Sequence, residues 1–138
     1  VTLPNVHRLR HRQDFNTVYQ LGMKRTTPHL ILRALPPIIQ NPDAASDLSQ
    51  SDEFEPPTRI GISVSQKVSK RAVVRNRIKR QLRAALRRLL PRLIPGWQLV
   101  IIAKPNASEC DYEEFLRELE ELLINTEVFN GHSGRSLL

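Results

Sequence analysis

Lys70-Arg71-Ala72-Val73-Val74-Arg75-Asn76-Arg77-Ile78-Lys79-Arg80-Gln81-Leu82-Arg83 packs basic residues around an apolar spine. Val74, Ile78 and Leu82, continued by Leu86 and Leu89, recur at three- and four-residue spacing. That period predicts one amphipathic helix over about residues 70–90. Ser69 is a candidate N-cap, and Pro91 ends the helix or opens its last irregular turn. Arg71, Arg75 and Lys79 make one row of cations at four-residue spacing, and Arg80, Arg83 and Arg87 make a second. Such rows hold their charged heads in water while the aliphatic stripe is buried. Guanidinium forks suit phosphate oxygens, and Asn76 between two arginines can both donate to and accept from a 2′-hydroxyl or a base edge.

The charge around this helix is one-sided. The 138-residue chain carries 21 Lys and Arg against 14 Asp and Glu, a net charge of +7. From Pro56 to Ser108 there is no acidic residue, whereas a solvated helix face usually mixes signs. Like charges at four-residue spacing destabilise a helix unless something neutralises them. The pattern predicts a polyanionic partner, nucleic acid before anionic membrane. The acids gather elsewhere, in Asp43, Asp47, Asp52, Glu53 and Glu55 and again from Glu109 to Glu127.

Outward from the basic helix, Arg59–Ser65 alternates as a strand. Ile60, Ile62 and Val64 form its core side, and Gly61, Ser63 and Ser65 form an open side that a backbone can approach closely. On the other flank Pro95-Gly96 is a turn. Trp97–Ala103 is then a continuous apolar run suited to a buried central strand. Asp111 and Glu114 have capping-box spacing at the start of a last helix. Phe115, Leu116, Leu119, Leu122 and Leu123 form the apolar face of that helix, with its acids outside. A first helix spans about Arg12–Leu21 with Phe15, Val18 and Tyr19 on one side and Gly22 as its stop, and a strand follows over about His29–Leu35. Pro36–Pro57, rich in proline, acids and small polar residues, reads as a long acidic loop between two strands. The tail after about Asn125 reads as frayed. The expected organisation is a single RNA-binding domain over residues 1–125 with a tail over 126–138. Its element order is α-β-β-α-β-α in an α+β fold, with a small mixed sheet packed with helices.

Several function classes recede. No stretch of about 18 or more apolar residues occurs, so no membrane span is expected, and the N-terminal residues lack the apolar run of a secretory signal. The basic helix lacks the aromatic apolar face of an interfacial helix. Cys110 is the single cysteine, so no disulfide staples the fold, and a cytoplasmic location is expected. His7, His11, His29 and His132 are scattered without metal-ligand spacing, so no metal site is expected. No triad or paired carboxylates stand among the basic elements, so no catalytic residue is expected.

Arg75-Asn76-Arg77, within Ala72–Arg80, resembles the arginine-rich signature of the bacterial ribonuclease P protein family. Arg59-Ile60-Gly61-Ile62-Ser63-Val64-Ser65-Gln66-Lys67 is similar to that family's glycine-serine strand. Arg8-Leu9, Asp14-Phe15, Val18-Tyr19 and Gly22 are similar to its first helix, and Trp97–Lys104 and the capped helix follow in order. The resemblance spans most of residues 7–124.

It implies a left-handed βαβ crossover through the basic helix, a fold of the kind found in a ribosomal-protein domain; chain sterics alone favour the right-handed form. It implies binding of the catalytic RNA by Arg71, Arg75, Asn76, Arg77, Lys79, Arg80 and Arg83. It also implies a cleft for the 5′ leader of precursor tRNA with Phe15, Tyr19, Ile31 and Lys67. From spacing alone Phe15 and Tyr19 read as core, since the first helix needs an apolar face; the resemblance reverses that reading. At Arg33 some relatives carry an aromatic, so a stacking role does not transfer there. The implied activity is removal of the leader by the ribonucleoprotein, with magnesium held mainly by the RNA, catalytic groups in the RNA, and no small-molecule substrate or membrane partner. The rival readings are a ribosomal RNA-binding protein and a nuclease that acts without RNA.

Overall fold

The computed structural model describes residues 8–9, 12–36, 57–126 and 128. Three helices and a four-stranded sheet follow in the order α1 (Arg12–Leu21), β1 (Met23–Thr26), β2 (Leu30–Leu35), β3 (Arg59–Ser63), α2 (Ala72–Leu89), β4 (Gln98–Ala103) and α3 (Tyr112–Asn125). The sheet order is β1-β2-β4-β3. β1 and β2 are antiparallel, β2 and β4 are antiparallel, and β3 runs parallel to β4 with α2 as the crossover between them. This is the α+β fold expected, with one strand added. Met23-Lys24-Arg25-Thr26 has no apolar alternation and three exposed residues; it becomes a strand only because a short turn folds it back on β2.

β4 is central, and its apolar run is buried on both faces. Leu99, Ile101 and Ala103 face a large core with Leu30, Leu32, Ala34 and Ile60 of the neighbouring strands and Val64 just beyond β3. α2 contributes Ile78, Leu82, Ala85, Leu86 and Leu89 to that core, and α3 contributes Phe115, Leu116, Leu119, Leu122 and Leu123. Each fully buried side chain of this size contributes about 1.5–3 kcal/mol, so the two stripes fix both helices on this face. The opposite face is smaller. There α1 sets Val18 against Leu9, Leu35 and Val100, with Phe15, Tyr19 and Ile102 packed on the rim.

α2 begins two residues later than its period suggested. Arg71, not Ser69, occupies the N-cap, without a side-chain cap hydrogen bond. The Ser69 hydroxyl accepts from the Arg71 amide at 3.2 Å and so closes the turn before the helix. A 3₁₀ turn at Leu90–Arg92 absorbs Pro91, and Gly96, at φ 96°, makes the left-handed turn into β4. α3 carries the full capping box: the Glu114 amide donates to Asp111 at 2.9 Å and the Asp111 amide to Glu114 at 3.2 Å.

The acids of α3 do not all face outward, because Glu118 is buried. Nor does order end at Asn125. Thr126 caps α3 through its hydroxyl to the Leu122 carbonyl, and buried Val128 accepts from the Ile94 amide at 2.7 Å. Loop residues 37–56 and tail residues 127 and 129–138 lie outside the described residues.

Candidate nucleic-acid interface

The outer surface of α2 has its apolar stripe turned to the core, which leaves Ala72, Val73, Asn76, Arg80, Arg87 and Arg88 exposed. Among the described residues, the side chains of Arg71, Lys79, Arg80 and Arg83 make no hydrogen bond or ion pair. Two cations of the signature are held instead by backbone. Arg75 donates through Nη1 to the Ser69 carbonyl at 2.8 Å, and Arg77 through Nη2 to the Ser108 carbonyl at 2.9 Å. A carbonyl orients a guanidinium without cancelling its charge. Arg77 is the more deeply packed, and its buried Nε has no partner among the described residues. Arg75 and Arg77 therefore flank the exposed line of Asn76 and Arg80, while Arg71 stands exposed at the helix start.

The second surface lies under α1. Leu9 docks on the outer edge of β3, with its amide donating to the Ile60 carbonyl at 3.0 Å. Phe15 lies on Gly61: a Cβ at that position would come within 2.3 Å of the ring. The bare glycine thus lets the aromatic settle on the strand. A cleft of about 120 Å³ opens beside it, lined by Arg8, Leu9, Phe15, Ile60, Gly61, Ile62 and Arg83. Arg83 links the two surfaces, because it belongs to α2 and borders the cleft.

Tyr19, one turn beyond Phe15, carries Arg33 over its ring at 6.0 Å from the centroid, within cation–π range. Ile31 is on the same side of β2, register partner of Ile102. Lys67 is exposed in the turn after β3, and its amide donates to the Ser65 hydroxyl at 3.3 Å. Neither Tyr19, Ile31 nor Lys67 lines the cleft; of the four residues expected to hold a leader, Phe15 does. Sequence reasoning missed Arg8, Gly61 and Arg83 as cleft residues. Arg8 and Gly61 were visible only as parts of motifs, and Arg83 counted only as a member of a cationic row.

No carboxylate lies anywhere in α2 or in the cleft lining. Magnesium favours carboxylate oxygens, and neither α2 nor the described cleft lining supplies one.

The layout defines a class: a small basic α+β protein with a cationic helix and an aromatic-edged cleft. The sequence matches the Ribonuclease P family over residues 3–127. It is 56% identical over 132 residues to the ribonuclease P protein component of a Cyanothece species, covering 94% of this chain and 99% of that one. It is 51% identical over 140 residues to that of a Nostoc species, covering 96% and 100%. The structure is similar to the RNase P protein of Staphylococcus aureus, with a TM-score of 0.70 at 24% identity over 90% of this chain and 98% of that one. It is similar also to that of Thermotoga maritima, at 0.65 and 24% over 84% and 94%. The chain belongs to the ribonuclease P protein family, of bacterial type, and so to the ribonuclease P enzyme complex of tRNA processing.

Proposed function

We propose that the protein binds two RNAs at once: the catalytic RNA of ribonuclease P along α2, and the single-stranded 5′ leader of precursor tRNA in the cleft under α1. The observation that carries this reading is the set of side chains on Arg71, Lys79, Arg80 and Arg83, which no acid among the described residues neutralises. Phosphates of a folded RNA supply the missing charge, and Asn76 stands among them to meet a hydroxyl or base edge. Arg75 and Arg77, aimed by the Ser69 and Ser108 carbonyls, act as pre-set flanking charges. In the cleft Phe15 offers a ring face to an unstacked base, with Arg8 and Arg83 placed for its phosphates. Tyr19, Ile31 and Lys67 extend that surface away from the cleft itself.

The protein contributes affinity, positioning and charge neutralisation in the cytoplasm, and cleavage belongs to the RNA with its magnesium. Reconstitution with ribonuclease P RNA and precursor tRNA at low magnesium tests this. The protein should restore cleavage of the leader, and protein without RNA should cleave nothing. Phe15→Ala, checked for an intact fold, should weaken binding of leader-bearing precursor by about 5- to 100-fold, as loss of one stacked base does, and spare mature tRNA. Equal weakening of both substrates, or cleavage by protein alone, overturns the proposal.

A further inference from the structure

On the sheet face away from α1, His29 meets Cys110 and Glu118, which lie close to each other in sequence and far from His29. One atom from each, an imidazole nitrogen, the Sγ and a carboxylate oxygen, lies within 4.8 Å of the other two. His29 precedes β2, Cys110 closes the 3₁₀ turn of Pro105–Glu109, and Glu118 sits mid-way along α3. Cys110 and Glu118 are buried, and the His29 side chain is 22% exposed, which opens the cluster to solvent on that side.

The carboxylate is already oriented. Its Oε1 accepts from the Thr27 hydroxyl at 2.5 Å and from the His29 amide at 3.0 Å. Oε2 is left facing His29 Nδ1 at 2.6 Å. One oxygen is thus fixed by the Thr27 hydroxyl and the His29 backbone amide, and the other faces the imidazole. Fixed oxygens with outer hydrogen-bond partners are how proteins aim metal ligands.

We propose that His29, Cys110 and Glu118 form a site for a borderline-soft divalent ion of the zinc class, with water from the His29 side as fourth ligand. Nitrogen, sulfur and carboxylate oxygen are the donors zinc prefers, and three protein ligands leave a fourth, open position. Zinc lies about 2.0 Å from nitrogen or oxygen and about 2.3 Å from sulfur, so the ligand atoms of a tetrahedral site stand about 3.3–3.6 Å apart. Reaching that geometry opens the His29–Glu118 contact and closes the longest separation, each by roughly 1 Å, within the range of side-chain rotation.

Binding releases the thiol proton of Cys110 to solvent and requires an Nδ1 that carries no proton. The imidazole is then neutral with its proton on Nε2. In the metal-free protein, burial and the nearby charges of Glu118, Glu114, Asp111 and Glu109 push the Cys110 thiol up to about 12. The same carboxylates attract a divalent cation, whose charge makes the thiolate favourable. The site would clamp the turn before β2 to the N-terminal half of α3, and Cys110 lies two residues beyond Ser108, whose carbonyl holds Arg77.

Cobalt(II) titrated into the full-length protein under reducing conditions tests the site. Because Cys110 is the single cysteine, a sulfur-to-cobalt charge-transfer band reports this thiol alone. One equivalent should produce that band together with the visible bands of a four-coordinate ion, and zinc should displace it and raise the thermal midpoint. Cys110→Ser should abolish the band. His29→Gln and Glu118→Gln should each weaken cobalt binding by at least about tenfold, and Thr27→Val, which touches no metal, by about 10- to 100-fold. His29→Gln serves if the buried Glu118 variant does not fold. A folded protein that shows no charge-transfer band overturns the site. So does a band whose affinity His29→Gln leaves unchanged, which would assign the thiol to other ligands.

Discussion

α2 and α3 pack side by side on the same core, yet they treat charge in opposite ways. α3 begins with a complete capping box and carries Glu113 and Glu114 in its first turn, where the positive end of the helix dipole favours acids. Its buried acid, Glu118, has hydrogen-bond partners on both oxygens. α2 begins at Arg71 with no side-chain cap, no acid in its first turn, and Lys70, Arg71 and Arg75 crowded at its positive end. One helix is electrostatically complete within its own fold. The other has its start and its outer face poised for an external anion. Both helices bury an apolar stripe in the same core, so the contrast lies in charge, in keeping with the binding role proposed for α2.

The largest expected effect follows from α2. If about six phosphates are neutralised, affinity for the catalytic RNA should fall roughly a thousand-fold between 50 and 200 mM salt. A filter-binding or calorimetric titration over that range measures the slope. A flat response would erase the distinction between the helices, because the cations would then be ordinary surface charge.

A smaller effect tests the completeness of α3. Burial opposes the charge on Glu118, yet the hydrogen bonds from Thr27 and from the side chain and amide of His29 hold its carboxyl below the ordinary glutamate range. Glu118→Gln, measured with metal chelated, should destabilise the protein by about 2 kcal/mol, the scale of a lost charge-assisted hydrogen bond. The sign with pH follows from the depressed value. The contribution is fully present above the pKa of the unfolded chain and is lost as pH falls through the lower folded one. Urea midpoints at several pH values measure it. Equal loss for the variant and the parent across that fall in pH would show that Glu118 is not the group concerned.

What the sequence discloses is local. The stripe from Val74 to Leu89, the run Leu99–Ile102 and the Asp111–Glu114 cap each carry their signal within a few residues, and all three appear in the fold as expected. β1 carries no such signal, because an exposed edge strand needs only a partner and a turn, not an apolar period. Glu118 reads as one more acid in an acidic helix; its burial depends on Thr27 and His29, about 90 positions earlier in the chain. The Arg77 contact with Ser108 is hidden for the same reason. The cationic surface of α2 is legible because charge segregation is a compositional fact. The cleft was legible only at Phe15, since its other walls come from Arg8, Gly61 and Arg83 on separate elements.

The smallest effect separates the helices most sharply, because it carries opposite signs in two measurements. Ala72→Glu places an acid in the exposed first turn of α2, where α3 already has two. In the free protein the new carboxylate meets the helix dipole and the crowded cations, and should add about 0.3–1 kcal/mol of stability at low salt. In the complex it lies where a phosphate is expected, so RNA affinity should fall and the salt slope should shrink by about one phosphate contact. A variant that is both more stable and a weaker binder shows that the start of α2 is kept cationic for a partner at a cost to the fold. If stability and affinity fall together, the helix start is merely sensitive to substitution; if affinity holds, the docking surface lies further along α2, toward Arg80 and Arg83.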